Sequence, residues 1–398
     1  MINLKKVIKI GFRNILLLGF VSFFSDVSSE MVYPLIPLYL TAVFGATPAL
    51  VGVIEGIAES AASLLKVFSG YITDKYKLKK PIAFLGYATG LVYKLALVAA
   101  GSWLGILTAR VIDRIGKGIR TSPRDVLVSE NAENGKTGQA FGIHKALDMA
   151  GSALGIFLAF IIMKSSSFDF KSLFLISIIP AAIGLVLMLL VKEKKEAKVV
   201  KVREPFWKNI KKLDKNLKLF LLVALIFTLG NSSNAFLLLR AKDVGFNDSN
   251  VVLLYLIYNI VASLFAIPFG KLSDKIGRKK LLVGGYLAFS AVYCGFAFAN
   301  HQITLVAAFI IYGFYTAMTA GVERAFITDI APEEIKGTVL GLHQTIVGIA
   351  LLPASVLAGW LWSIFGATAP FLFGSLLSFS AAIILLYFLQ QIKKKISI

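Results

Sequence analysis

Apolar runs of about 20 residues or more recur from one end of this 398-residue chain to the other, separated by short polar or basic breaks. About 20 residues of α-helix cross a hydrocarbon core roughly 30 Å thick. Inside that core every backbone N–H and C=O must find a partner within a helix or a closed barrel. No stretch alternates with period two as a barrel strand would, so the runs read as helices. They fall near 12–44, 48–73, 81–101, 103–125, 137–163, 172–191, 217–240, 249–270, 280–299, 302–329, 336–364 and 369–391. The expected fold class is an all-α membrane protein of twelve transmembrane helices. Composition agrees: 57% of residues are apolar and 16% charged, a balance that a water-facing surface does not carry. The first run continues into polar, helix-compatible sequence without a small-residue cleavage site, and is expected to be a retained helix. Cys294, the only cysteine, lies inside a span, which excludes an intrachain disulfide and a thiolate metal cluster.

The formal net charge of +20 is sorted along the chain by side of the membrane. With the N terminus in the cytoplasm, the inner segments hold Lys5, Lys6, Lys9 and Arg13, then Lys75, Lys77, Lys79 and Lys80, then Arg120, Arg124 and Lys136. The same side receives the basic stretch from Lys192 to Lys218, the group Lys271, Lys275, Arg278, Lys279 and Lys280, then Lys336, and Lys393 to Lys395. The outer loops hold only Lys164, Lys171, Arg240 and Lys242. An excess of Lys and Arg in cytoplasmic loops sets orientation. It places the chain as a multi-pass protein of the cytoplasmic (inner) membrane with both termini in the cytoplasm, and assigns the charge to topology and anionic lipid, with no nucleic-acid partner.

The chain repeats itself at a spacing of about 200 residues. Gly70-Tyr-Ile-Thr-Asp74-Lys75 runs on to Lys79-Lys80, and Gly270-Lys-Leu-Ser-Asp274-Lys275 runs on to Arg278-Lys279-Lys280. Gly138-x-x-x-Gly142-x-His144 is matched by Gly337-x-x-x-Gly341-x-His343. Two six-helix halves follow, expected at residues 1–191 and 217–398, joined by a basic cytoplasmic linker at 192–216.

The loop pattern G-x-x-x-D-K/R-x-G-R/K-K/R, present twice, resembles the signature of the major facilitator superfamily of secondary transporters. The resemblance covers the whole chain. Lys77 stands where the first copy's second glycine would be, and Gly277 completes the second copy. Pro332-Glu-Glu-Ile-Lys336-Gly337 resembles the family's loop between fourth and fifth helices. Arg110-x-x-x-Arg114-x-Gly116-x-Gly118 is similar to its arginine-glycine motif. The family's Gly-Pro pair in the fifth helix is missing, because Gly151-x-x-x-Gly155 is followed by Ile156. Phe24-Ser-Asp-Val-Ser-Ser-Glu30, Asp113-Arg-Ile-Gly-Lys-Gly-Ile-Arg120 and Pro123-Arg-Asp125 are similar to a prokaryotic branch of multidrug-efflux-like carriers. The resemblance implies that helices one, four, seven and ten line a central cavity about which the halves rock. It also implies that Gly70, Asp74, Lys75, Gly270, Asp274, Lys275 and Arg278 form gating loops that latch the halves.

Six acids and six bases lie inside the spans of the first half: Asp26, Glu30, Glu55, Glu59, Asp113 and Asp148 against Lys66, Lys94, Arg110, Arg114, Lys117 and Lys145. Each would cost about 2.5–3.5 kcal/mol facing lipid, so they must face inward and find partners. Asp26 and Glu30 are one turn apart, and Arg110, Asp113, Arg114 and Lys117 share one helical face. Asp26, Glu30, Arg110, Asp113 and Arg114 are therefore the expected proton-coupling and cavity residues. A sealed ion-pair network that only fixes packing is the alternative, above all for Glu55, Lys66, Lys94, Lys145 and Asp148. The second half offers Asn231 and Asn234 in its first helix, where the first half has Asp26 and Glu30. It also offers a stripe of Tyr312, Thr316, Thr319 and Glu323 in its fourth. His144 and His343, at repeat-related positions, read as architectural polar residues rather than metal ligands.

Neither His-Glu-x-x-His nor Gly-x-Ser-x-Gly is present, and Gly135-Lys136-Thr137 lacks the glycine and the strand of a phosphate-binding loop. The expected function is secondary transport of a small solute by a monomer needing no cofactor or metal, coupled to protons or another ion, with efflux favoured. Uptake, facilitated transport of an organic ion, and a non-transporting sensor are the alternatives. Cysteines introduced at Asn134 and Ser273 should be labelled from the cytoplasm, and one at Ser166 or Asn247 from outside. The opposite pattern would invert the topology.

Overall fold

The computed structural model describes residues 4–76, 78–132, 137–165, 168–193, 213, 215–331 and 336–396, with side chains described outside 4–10, 67–68, 70–76, 137–138, 328, 336–338 and 388–396. These residues form sixteen α-helices and no strand. The first half comprises α1 (Leu4–Val32), α2 (Leu35–Phe44), α3 (Pro48–Tyr76), α4 (Lys79–Ala99), α5 (Trp103–Asn131), α6 (Thr137–Met163), α7 (Phe170–Ile176) and α8 (Ile178–Leu190). The second comprises α9 (Lys215–Gly230), α10 (Ala235–Asp243), α11 (Asp248–Ile276), α12 (Arg278–Phe298), α13 (Gln302–Thr319), α14 (Val322–Ile330), α15 (Lys336–Phe365) and α16 (Thr368–Ile396).

Four spans are broken helices, which is why sixteen segments make twelve crossings. Proline has no N–H and disfavours helical geometry in the residue before it, so α1 ends at Val32 ahead of Tyr33-Pro34 and α2 resumes at Leu35. The seventh span breaks at Asn231–Asn234, whose two side-chain amides donate to Tyr315 and Tyr258. Ser177 interrupts the sixth, and Ser28 Oγ donates to its carbonyl at 2.6 Å. The tenth pauses at Ala320–Gly321. Eleven spans are long and apolar enough to cross a membrane by length and composition. The twelfth is α5, 29 residues long, whose charged residues dilute its hydropathy. It runs through Pro123 to Asn131, past the expected end at 125.

Lipid explains the outside of the molecule. Leu264 and Ile267 on α11 are 67% and 69% exposed, and α8 exposes Ile179, Val186 and Leu189. In water such apolar surface would drive association; in hydrocarbon it is the solvated face. The hydrophobic effect then does little to hold helix to helix, and small residues and interhelical hydrogen bonds take over.

By contacts the chain divides into two units, one of residues 1–44 and 61–203, the other of 45–60 and 204–398. In the first unit α1 packs on α6 and α8, and α4 packs on α5. In the second, α9 packs on α15 and α16, and α12 packs on α13, the same pairs one repeat later. At the α1–α6 crossing the two backbones nearly touch. A Cβ built on Gly151 would stand 2.4 Å from the Phe23 carbonyl oxygen, and one on Gly155 2.4 Å from that of Val27. Gly155→Leu should therefore force the helices apart and lower stability by about 1–3 kcal/mol, read as a lower melting temperature of the purified protein. An unchanged melting temperature would show that the crossing is not close-packed.

Candidate transport site

The polar stripe of α5 is built by its spacing. Arg110, Asp113, Arg114, Lys117, Arg120 and Arg124 recur at three- and four-residue intervals and so share one face. Arg110, Asp113, Arg114 and Arg120 are all buried. Asp113 Oδ2 lies 3.6 Å from Arg110 and 3.7 Å from Arg114, holding two guanidinium groups with one carboxylate. Both guanidinium groups also lie over the ring of Tyr33, at 5.2 and 5.4 Å from its centroid, and thus at the break of the first span. Arg120 lies over Tyr87 at 4.7 Å, and Lys94, 1% exposed, over Tyr93 at 4.7 Å. These cation–π contacts let low-dielectric surroundings accept cations.

A turn or two further along, the stripe joins α1, α4 and α6. Arg124 donates to Asp125 Oδ1 at 2.8 Å and to Ser22 Oγ at 3.4 Å. Ser22 Oγ is 3.1 Å from Tyr87 Oη and 3.0 Å from His144 Nε2. One turn beyond the Ser22–His144 contact on both helices, Asp26 of α1 and Asp148 of α6 come close enough for their carboxyls to act on each other. Lys145 donates to Asp148 Oδ2 at 2.7 Å. Lys117 and Arg120 are close enough to act on Asp26 electrostatically. The partner the structure gives Asp26 is thus Asp148, which the spacing argument had put among the packing charges. Glu30 stays one turn away on the same helix, half-buried.

The second half builds the same scaffold with other chemistry. Helices α4 and α5 correspond to α12, α13 and α14 at an offset of 199 residues, set by matching starts at Lys79 and Arg278 and matching N-caps at Ser102 and His301. Lys94 then corresponds to Tyr293, Asp113 to Tyr312, Lys117 to Thr316, Arg120 to Thr319 and Arg124 to Glu323. Most of the ions become aromatic and hydroxyl groups. Tyr312 Oη donates to Asn234 Oδ1 at 2.8 Å, Asn234 Nδ2 donates to Tyr258 Oη at 3.1 Å, and Asn231 Nδ2 donates to Tyr315 Oη at 3.3 Å. Glu323 lies apart from this amide–tyrosine group. It accepts from Tyr286 Oη at 3.1 Å, with His343 Nε2 3.4 Å away and stacked on Phe220. Rings of Phe227, Tyr286, Phe289, Tyr293, Tyr312 and Tyr315 link the two groups.

Asn231 and Asn234 do not stand at the positions of Asp26 and Glu30. The first spans align at an offset of 200, because both are broken and both run on to a positive-φ glycine, Gly45 and Gly245. Asn231–Asn234 therefore matches Met31–Pro34, and Asp26 and Glu30 match Ile226 and Gly230.

Of the gating-loop residues, Gly70, Asp74 and Lys75 have side chains outside the described residues. In the second loop Arg278 reaches Asp274 at 3.5 Å, Asp329 at 2.5 Å and the Ala325 carbonyl at 2.8 Å. Lys79 pairs with Glu130 in the first half, each 199 residues before Arg278 and Asp329. The pairing ties the start of α4 to the end of α5 and the start of α12 to the end of α14. Gly277, at φ +94°, makes the turn. The Gly270 carbonyl accepts from Ser273 Oγ at 2.6 Å, and Lys275 is exposed in the last turn of α11. Among the described residues no three His, Cys, Asp or Glu side chains group as metal ligands, and His144 and His343 each sit within their own half.

The Major Facilitator Superfamily model matches residues 18–239 and again 219–397, and the chain belongs to that family. An uncharacterized MFS-type transporter of Methanocaldococcus jannaschii is 40% identical over 94% of both chains. The fosmidomycin resistance protein of Escherichia coli is 26% identical over 80% of this chain and 78% of its own. Among solved structures the nucleoside transporter NupG superposes with a TM-score of 0.78 at 14% identity, covering 94% of this chain and 99% of that one. The fold is that of a major facilitator transporter, and the chain is a transporter rather than an enzyme.

Asp113→Asn should leave Arg110 and Arg114 facing each other without their shared carboxylate. Losing one partner of a buried ion pair costs about 3–5 kcal/mol, so the melting temperature should fall, and Asp113→Asn with Arg114→Gln should recover part of the loss. Equal stability of the single variant and the wild type would remove the ion group from the packing of this half.

Proposed function

We propose that the chain exports a small solute through the cytoplasmic membrane by alternating access, driven by the inward movement of protons. The observation that carries this is the asymmetry at matched positions: the first half supplies titratable groups and the second supplies amides, hydroxyls and rings. Asp26, with Glu30 one turn on, is the titrating centre. Lys117 and Arg120 act on it directly, Arg110, Asp113 and Arg114 continue the ionic face of the cavity, and Asn231, Asn234, Tyr312 and Glu323 contribute largely neutral contacts to the solute. Residues 1–191 and 217–398 act as the two rocking bodies joined by 192–216, in a monomer with both termini cytoplasmic and anionic lipid against its basic loops. Likeness to a resistance protein supports outward movement. Uptake or facilitated transport of an organic ion would use the same groups with the gradient reversed or absent.

Coupling requires that proton and solute each favour a different state of the transporter. A carboxyl on a pore helix satisfies this if its ion partners differ between states. The test needs a solute, found by screening purified protein for ligands that raise its thermal stability. Asp26→Asn and Glu30→Gln, singly or together, should abolish accumulation driven by a pH gradient in proteoliposomes and leave downhill exchange partly intact. Full gradient-driven accumulation by the double variant would remove this pair from the mechanism. Asp74→Asn should slow turnover strongly while solute still binds; unchanged turnover would discard the latch. A sensor that lost transport would bind the solute and show no flux at all.

A further inference from the structure

Asp26 and Asp148 meet because of the backbone between them. An aspartate side chain is short, so two of them on neighbouring helices touch only where the helices nearly do. Gly151 and Gly155 supply that approach, lying against the carbonyls of Phe23 and Val27. Asp26 stands between those two residues, and Asp148 three residues before Gly151. In the second half α9 also packs on α15. There the aspartates are replaced by Ile226 and Val347, and the glycines by Ala350 and Ala354. These two helices therefore pack without carboxyls in the second half, and packing alone does not call for them in the first.

We propose that Asp148 is the second half of the coupling site, and that Asp26 and Asp148 hold between their carboxyls the one proton this transporter exchanges. The inference rests on the proton-coupled reading above and names the partner of Asp26. Two carboxylates facing each other repel, whereas a carboxylic acid and a carboxylate form a strong hydrogen bond. One proton therefore belongs to the pair rather than to either residue. Its release breaks one O–H bond and converts the acid–carboxylate pair, with one negative charge, into two carboxylates with two. Groups to meet the added charge already face the pair. From α5 come Lys117 and Arg120 beside Asp26, and Arg124 beside Asp148. From α4 Lys94 acts on Asp26, and from α6 come Lys145, bonded to Asp148, and His144. Lys145, whose side chain is 65% exposed, can change partner at little cost, whereas Arg120 lies over Tyr87 and Arg124 is paired with Asp125. A shift of α6 against α1 that lengthens the carboxyl contact would expel the proton and leave Asp148 to Lys145 and Arg124.

The test is infrared difference spectroscopy of the full-length protein in lipid vesicles at neutral pH, reading the carbonyl stretch of a protonated carboxylic acid. Wild type minus Asp26→Asn and wild type minus Asp148→Asn should show the same lost band, because removing either acid lets the other ionise among the cations. Asp148→Glu, which keeps a carboxyl, should keep the band at a shifted frequency, and in wild type the band should titrate away as a single step with rising pH. A band that survives Asp148→Asn, or that neither variant alters, overturns the proposal. If the band behaves as stated while solute flux moves no protons, the shared proton stands and its coupling role falls. If flux is proton-coupled and abolished by Asp26→Asn while the band ignores Asp148→Asn, coupling stands and the shared site falls.

Discussion

The cost of charge in hydrocarbon governs this structure. A helix carrying Arg110, Asp113, Arg114, Lys117, Arg120 and Arg124 on one face cannot present that face to lipid, and so it must be packed inside its half with partners for every ion. Tyr33 and Tyr87 serve as those partners as much as carboxylates do. Their use ties α5 to the break of the first span and to α4, so the ionic stripe fixes the inner geometry of the half that carries it. Attraction among such groups adds little net stability once desolvation is counted. What it gives is one arrangement in which all are satisfied, and the proposed coupling requires that a proton or an ionic ligand shift that balance.

The repeat makes that argument comparative. Two copies of one scaffold, matched residue for residue at offsets of 199 and 200, differ where their inner faces carry chemistry. Lys94, Asp113, Lys117 and Arg120 become Tyr293, Tyr312, Thr316 and Thr319, while the loop pairs Lys79–Glu130 and Arg278–Asp329 are kept. What is common to both halves belongs to the fold and its loops. What differs is the better guide to function, and the proposed division, titration in the first half and neutral contact in the second, rests on it.

Much of the fold was legible in the sequence because lipid simplifies the code. Run length gave the spans and the doubled loop exposed the repeat, but the first span reads as one helix over 12–44, which misses the break at Tyr33-Pro34. The fourth span reads as 103–125 in spite of its charges, short of the Asn131 at which α5 ends. The site was less legible. Helical spacing joins Asp26 to Glu30, since both lie on one helix. It says nothing about Asp148, whose meeting with Asp26 depends on a crossing set by Gly151 and Gly155 in another span. The same limit misaligned Asn231–Asn234 with the acids of the first helix, because composition ignores where each helix breaks. Positive-φ turns at Gly45 and Gly245 supply the register.

The central claim is that solute and proton movements are obligatorily linked through the first half. It is tested most directly by loading proteoliposomes with solute and a pH-sensitive dye, with no initial pH difference, and following lumenal pH as solute leaves. The account requires acidification of the lumen by wild-type protein, at a rate proportional to solute efflux, and none with Asp26→Asn. Solute efflux at the wild-type rate without any change in lumenal pH would contradict it.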